Sequence, residues 1–194
     1  MAKKVFDIAK VLASQRESKH VEFKEKCDHA DAQDLCEVIK DIVAMANSGG
    51  GHILFGVKND GSASDWDCTL LRGLDPAQLT DKIASYVGEQ FSEFDIYEAE
   101  RRGIRIAVME IRPVHIPLIF VRPGTYDVGQ GKQKTAFGRG TAYFRHGAKS
   151  EPGTSQYDRG FYCKCVCMNA MALRMISRER SSSFWLSNPC SPRG

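Results

Sequence analysis

No apolar run in this sequence approaches the roughly 20 residues needed to span a bilayer, so a membrane partner is not expected. The opening residues, Met1-Ala2-Lys3-Lys4-Val5-Phe6-Asp7, lack the apolar core and small-residue cleavage site of a secretory signal. A cytoplasmic location is the resulting expectation. No Gly-x-x-x-x-Gly-Lys-Ser/Thr occurs, which removes the usual phosphate-binding loop. Paired cysteine spacing is also missing. Seven cysteines is an odd count, and Cys27, Cys36 and Cys68 are scattered, so no disulfide framework is expected. Cys163, Cys165 and Cys167 alternate with single residues. Zinc ligands are usually separated by about two to four residues, so these three and Cys190 do not read as a zinc site. His20, His29, His52, His115 and His146 show no metal spacing and no serine or cysteine partner.

A large charge of one sign is missing too. The net charge is +3, but six of the 27 basic and two of the 24 acidic residues lie beyond Thr154. The first 154 residues therefore hold 21 basic and 22 acidic side chains, a balance of −1. Any surface for nucleic acid has to come from local segregation of charge.

What is present is an ordinary globular composition, 42% hydrophobic and 26% charged over 194 residues, enough for one domain with a real core. Ala32, Leu35, Cys36, Ile39, Ile42, Val43 and Ala46 recur at helical steps. Asp28 or Asp31 caps that helix, and Asn47 with Gly49, Gly50 and Gly51 ends it. The following strand, His52–Val57, is apolar on both faces, with Ile53, Phe55 and Val57 read to one side and Leu54 and Gly56 to the other. Val5, Ile8, Ala9, Val11 and Leu12 predict a helix over residues 3–15, and Val21 and Phe23 a short strand. Asp75-Pro76 opens another helix, and Phe94–Ala99 with Ile104–Ile111 form a hairpin. Pro117–Val121 and Thr141–Arg145 read as strands, and Gly124–Gly140 as a long loop. The expectation is a single α+β domain over residues 1–154, with a mixed sheet of about five or six strands and about three packed helices. Residues 155–194 read as an irregular, weakly ordered or atypical tail.

Three constellations carry candidate chemistry. Glu17, Glu22 and Asp60 bracket the first strand and follow the central one; if those strands are neighbours, three carboxylates converge. Oxygen ligands of this kind hold Mg²⁺ or Mn²⁺ for phosphodiester hydrolysis, and Lys24 on the same strand face suits a developing phosphate charge. The alternative is a charged surface strand and a solvated turn aspartate. The glycine turn follows a helix C-terminus, which repels anions, so it reads as a place of tight backbone packing. Finally, Lys132, Lys134, Arg139, Arg145 and Lys149 put five cations and no acid into 18 residues, interleaved with Phe137, Tyr143 and Phe144. Cations bind phosphates and exposed rings stack on bases; alternatively, the rings are core and the lysines solvate a loop.

Taken together, Glu17-Ser18-x-x-Val21-Glu22-Phe23-Lys24, Ala46-Asn47-Ser48-Gly49-Gly50, Phe55-Gly56-Val57 and Tyr143-Phe144-Arg145-His146-Gly147 resemble the Schlafen AlbA-type domain over roughly residues 10–154. The resemblance implies an α+β nucleic-acid-binding module, DNA or RNA, in a regulatory or defence context. In prokaryotic members it also implies ATP binding. Vertebrate relatives are endoribonucleases that cut transfer and ribosomal RNA through three carboxylates, whose positions match Glu17, Glu22 and Asp60 here. Those enzymes have a duplicated core, so one copy implies a homodimer where a full groove is needed.

Overall fold

The computed structural model describes residues 6–153. The tail expected from residue 155 and the expected helical residue Val5 lie outside the described residues. Short helix α1 (Ile8–Leu12) is capped by Asp7, and β1 (Val21–Lys24) follows. The long α2 (Ala32–Asn47) starts at Asp31, whose carboxylate accepts from Asp34 N at 2.9 Å. Its partner in sequence, β2 (Gly51–Phe55), is fully buried. A 3₁₀ turn (Cys68–Gly73) leads to α3 (Pro76–Val87), where Asp75 is the cap and Pro76 the first residue, as the Asp-Pro pair predicts. Then come β3 (Phe94–Arg101), β4 (Ile104–Ile111), β5 (Gly124–Asp127), β6 (Gln133–Phe137), β7 (Tyr143–His146) and β8 (Lys149–Pro152).

One four-stranded mixed sheet, in the order β1-β2-β4-β3, is joined by two separate hairpins, β5–β6 and β7–β8. Strand β1 runs parallel to β2 with Glu22 opposite Ile53, and β4 runs antiparallel with Met109 opposite Ile53. Apolar side chains cover both sheet faces. One core gathers Ile39, Ile42, Val43, Ile53, Phe55, Met109, Phe120 and Phe137; the other gathers Val11, Val21, Phe23, Leu54, Val57, Ile106 and Val108. Each such side chain stabilises the fold by about 1.5–3 kcal/mol, which is why the apolar central strand was readable.

Val57 is a correction. It joins the Leu54 side, not the Ile53 side, because Gly56 takes φ +88° and turns the chain over after Phe55. The helix near the N-terminus spans five residues, shorter than expected, and Ile8 is exposed. Residues 117–121 make one bridge, Phe120 with Thr141, and no strand. Their backbone is taken elsewhere: Leu118 N donates to the Asn47 side chain at 2.8 Å, and Val121 N donates to Tyr86 O at 2.8 Å. The predicted loop over 124–140 is a hairpin, with Tyr126, Ala136 and Phe137 turned inward.

The glycine turn behaves as tight packing. A Cβ on Gly50 would stand 2.6 Å from Ile111 O, and one on Gly51 2.8 Å from His20 O. Just before it, the Asn47 amide closes α2 against the later chain. Its Nδ2 donates to Leu118 O and Tyr143 O, both at 3.0 Å, while Oδ1 accepts from Leu118 N.

Candidate functional site

Period-two alternation puts Val21 and Phe23 into one core, so Glu22 and Lys24 project from the opposite face, where α2 and β7 supply Asp41 and Arg145. Lys24 Nζ lies 2.6 Å from Asp41 Oδ2 and 3.2 Å from Glu22 Oε1. Arg145 Nη2 lies 2.7 Å from Glu22 Oε2, and Nη1 3.8 Å from Asp41 Oδ1. Ser150 links the set, accepting from Arg145 Nη1 at 3.1 Å and donating to Asp41 Oδ1 at 2.7 Å. Arg145 Nη2 also donates to Ser18 O at 3.0 Å, and its backbone N–H to Ser48 Oγ at 2.7 Å. The Arg145 side chain is 1% exposed and that of Glu22 9%. Glu22 Oε2 meets its arginine as an ion pair, without the alignment of a hydrogen bond.

Two acids and two cations thus neutralise one another out of water. Burial, and then the Asp41 carboxylate, push the Glu22 pKa up against the pull of Lys24 and Arg145. Burial works against the Lys24 ammonium, yet Asp41 and Glu22 overcome it and hold lysine well above its ordinary value.

The other two predicted acids are placed differently. Glu17 Oε1 accepts from Phe23 N at 3.0 Å, along the edge of β1. Asp60 is exposed, and its Oδ1 accepts from both Ser62 N (2.8 Å) and Ser62 Oγ (2.6 Å), which holds its carboxyl below the usual range. Among the described residues, no group of three or more histidine, cysteine or acidic side chains is arranged to hold a metal ion. As placed, Glu22 already faces two cations and Asp60 a serine, so these oxygens do not fit a shared Mg²⁺ or Mn²⁺.

Arg101 lies on the Phe23 face of β1, opposite the charge cluster, and was not singled out by the sequence. It is 2% exposed and donates to the carbonyls of Leu12, Ser14 (2.6 Å) and Gly61 (2.9 Å). Its guanidinium lies 5.3 Å from the centre of the Phe23 ring. One side chain therefore holds the loop ahead of Glu17, the strand carrying Glu22 and the turn carrying Asp60. Asp41 was also missed. Its signal was an acid inside the buried run Val38–Met45, since buried acids occur mainly with partners. Cys27 is buried, and that burial pushes its thiol up to about 12, away from the thiolate form.

The cationic segment divides in two. Arg145 (1% exposed) and Tyr143 (9%) are buried, which corrects their reading as surface contacts for nucleic acid. Tyr143 is core, with its hydroxyl donating to Ala136 O at 3.3 Å. Lys132, Lys134, Arg139 and Lys149 are exposed. Lys134 Nζ also lies 5.9 Å from the centre of the Tyr126 ring. The rings Tyr126, Phe137 and Phe144 are buried, and Phe137 stacks on Phe120 at 3.7 Å.

Fold and site define an α+β domain in which a mixed sheet and one long helix enclose a neutralised charge cluster beside a cationic hairpin. The chain belongs to the Schlafen AlbA_2 family, whose profile (Schlafen, AlbA_2) matches residues 17–154. None of the curated proteins compared matches the chain. The crystal structure of the DIP2311 protein from Corynebacterium diphtheriae is similar to it with 16% identity and a TM-score of 0.48, over 78% of this chain and 27% of that one. The chain spans only that 27% of the larger protein. Among the described residues no helix is long and apolar enough to cross a membrane.

Proposed function

We propose that this domain binds nucleic acid through the exposed cations of residues 132–149. One observation carries the reading: in a body of slightly negative charge, Lys132, Lys134, Arg139 and Lys149 stand in solvent with no acid inside their stretch of sequence. Solubility does not require that segregation, whereas a phosphate backbone does. Family membership supports the same direction. The affinity should fall steeply with salt, because each phosphate neutralised releases a counterion. The test is fluorescence anisotropy of labelled oligonucleotides against the full chain. Lys134→Ala with Arg139→Ala is expected to weaken binding, and unchanged affinity in that double variant removes the proposal.

Metal-dependent RNA cleavage through Glu17, Glu22 and Asp60 has no comparable observation in its favour, because Glu22 is engaged by Lys24 and Arg145 and Asp60 by Ser62. Incubating structured RNA with the protein and Mn²⁺ tests it, with Glu22→Gln as the control. Equal cleavage by both proteins would assign the activity to a contaminant. ATP binding has no observation in its favour here, and the helix-then-glycine order speaks against it. A homodimer would double the cationic row along one nucleic acid.

A further inference from the structure

The β5–β6 hairpin is more specific than a cationic surface. Residues 127–135 are nine consecutive exposed positions, while Tyr126 on one side and Ala136 and Phe137 on the other are buried. The hairpin therefore has a rooted base and a free tip. That tip is preformed: Val128 N donates to Lys132 O at 2.9 Å, Lys132 N to Gly129 O at 3.0 Å, and Gly129 N to Asp127 Oδ1 at 2.8 Å. A tip held by its own backbone bonds has little freedom left to lose on binding.

Its surface chemistry is selective by what faces outward. Lys132 and Lys134 supply ammonium groups, the latter beside the Tyr126 hydroxyl and Glu37. Gln130 and Gln133 supply amides and Thr125 and Thr135 hydroxyls, while the one carboxylate, Asp127, is turned to Gly129 N. Across residues 122–152 all four benzene-type rings point inward: Tyr126, Phe137, Tyr143 and Phe144 are each at most 9% exposed. Unpaired strands are held without sequence preference by stacking bases on exposed rings, at about 1–3 kcal/mol per base. This hairpin cannot supply that contribution. Amides, hydroxyls and ammonium groups are instead the groups that contact phosphate and sugar. A duplex also carries charge at about 1.7 Å intervals along its axis, against about 3.4 Å for one strand. A few cations therefore find more phosphate along paired strands. A two-stranded ribbon is, moreover, a shape that the major groove of B-form DNA admits.

We infer that the β5–β6 hairpin is an arm for double-stranded nucleic acid, engaging paired backbones in preference to single strands and without base-specific readout. This rests on the nucleic-acid-binding reading above. The experiment compares four labelled probes of equal length and matched sequence against the full chain: duplex DNA, duplex RNA, and the single strand of each. At least one duplex is expected to bind about tenfold or more tighter than both single strands, and the DNA and RNA arms identify which duplex it is. Lys132→Ala with Lys134→Ala is expected to reduce the duplex salt slope by about 1.8, two contacts at about 0.9 each. Lys82→Ala, on α3, is expected to change nothing. Single strands that bind as tightly as duplexes overturn the inference and leave the binding proposal standing. A salt slope unmoved by the arm double variant, or moved equally by Lys82→Ala, overturns the assignment to this arm. Absence of binding to all four probes overturns both readings.

Discussion

Two groups of charges share one stretch of sequence through a single residue and do opposite things. Glu22, Lys24, Asp41 and Arg145 neutralise one another inside the protein, whereas Lys132, Lys134, Arg139 and Lys149 face solvent. Arg145 sits within the same cationic run as the second group, yet belongs to the first. The lesson is that a charge on a strand is assigned by the face it occupies. In β7, Arg145 points to Glu22, and position in a basic run says little about that.

The sharpest way to break this comparison is Arg145→Ala. It leaves Glu22 and Asp41 with one cation between them, and removing one partner from a buried ion pair costs about 3–5 kcal/mol. Urea unfolding measures it. A variant with native stability but lost nucleic-acid binding would move Arg145 into the surface group.

Arg101→Ala comes next, at about 3 kcal/mol, because a hydrogen bond from a charged group is worth roughly 1.5–3 kcal/mol. The buried Gly61 carbonyl loses its donor outright, and water replaces part of the loss at half-buried Leu12 and Ser14. Arg101→Lys keeps the charge without the planar fork and should recover only part of the loss. Full recovery by lysine would show that charge alone matters there.

A smaller effect is expected from pH. A carboxyl whose pKa is higher in the folded chain binds more protons folded than unfolded, so the Glu22 contribution to stability falls as pH rises from about 4.3 through its raised value. Lys24 runs on a later schedule, its contribution being complete below about 10.4 and lost as pH climbs through its higher folded value. Urea midpoints of the wild type and Glu22→Gln across the acid range check the first statement. The decline above about pH 4.3 should shrink in the variant, and an undiminished decline would place its source elsewhere.

The least costly change should be Lys132→Ala with Lys134→Ala. Exposed substitutions usually shift stability by less than about 0.5 kcal/mol, so the melting curve should hold while nucleic-acid binding drops. A stability loss comparable to that of Arg145→Ala would erase the distinction between the two groups.

How much of this was readable beforehand follows physical range. Helix α2, its glycine exit and strand β2 were legible because their burial is nearly continuous and their turn chemistry local. The Asp75-Pro76 start and the β3–β4 hairpin were legible for the same reason. Residues 117–121 misled because a short unbroken apolar run looks like a strand, while its hydrogen bonds depend on Asn47 and Tyr86, far away in sequence. The β5–β6 hairpin hid behind its glycines, although Thr125-Tyr126 and Thr135-Ala136-Phe137 carried a strand signal on either side. At the site, Glu22 stood out in the sequence as a carboxylate on a strand, but its partners Asp41 and Arg145 come from a helix and a hairpin strand whose meeting no local pattern encodes.

The Asn47 amide has a consequence for how the domain is made. Its acceptors, Leu118 and Tyr143, are 71 and 96 residues further along the chain. On a ribosome, which delivers the N-terminal part first, helix α2 emerges with that amide still wet and waits for most of the domain to follow. A nascent chain halted before Tyr143 would hold the helix without its lock, so the interval between those two residues sets the earliest moment at which the newborn protein can close.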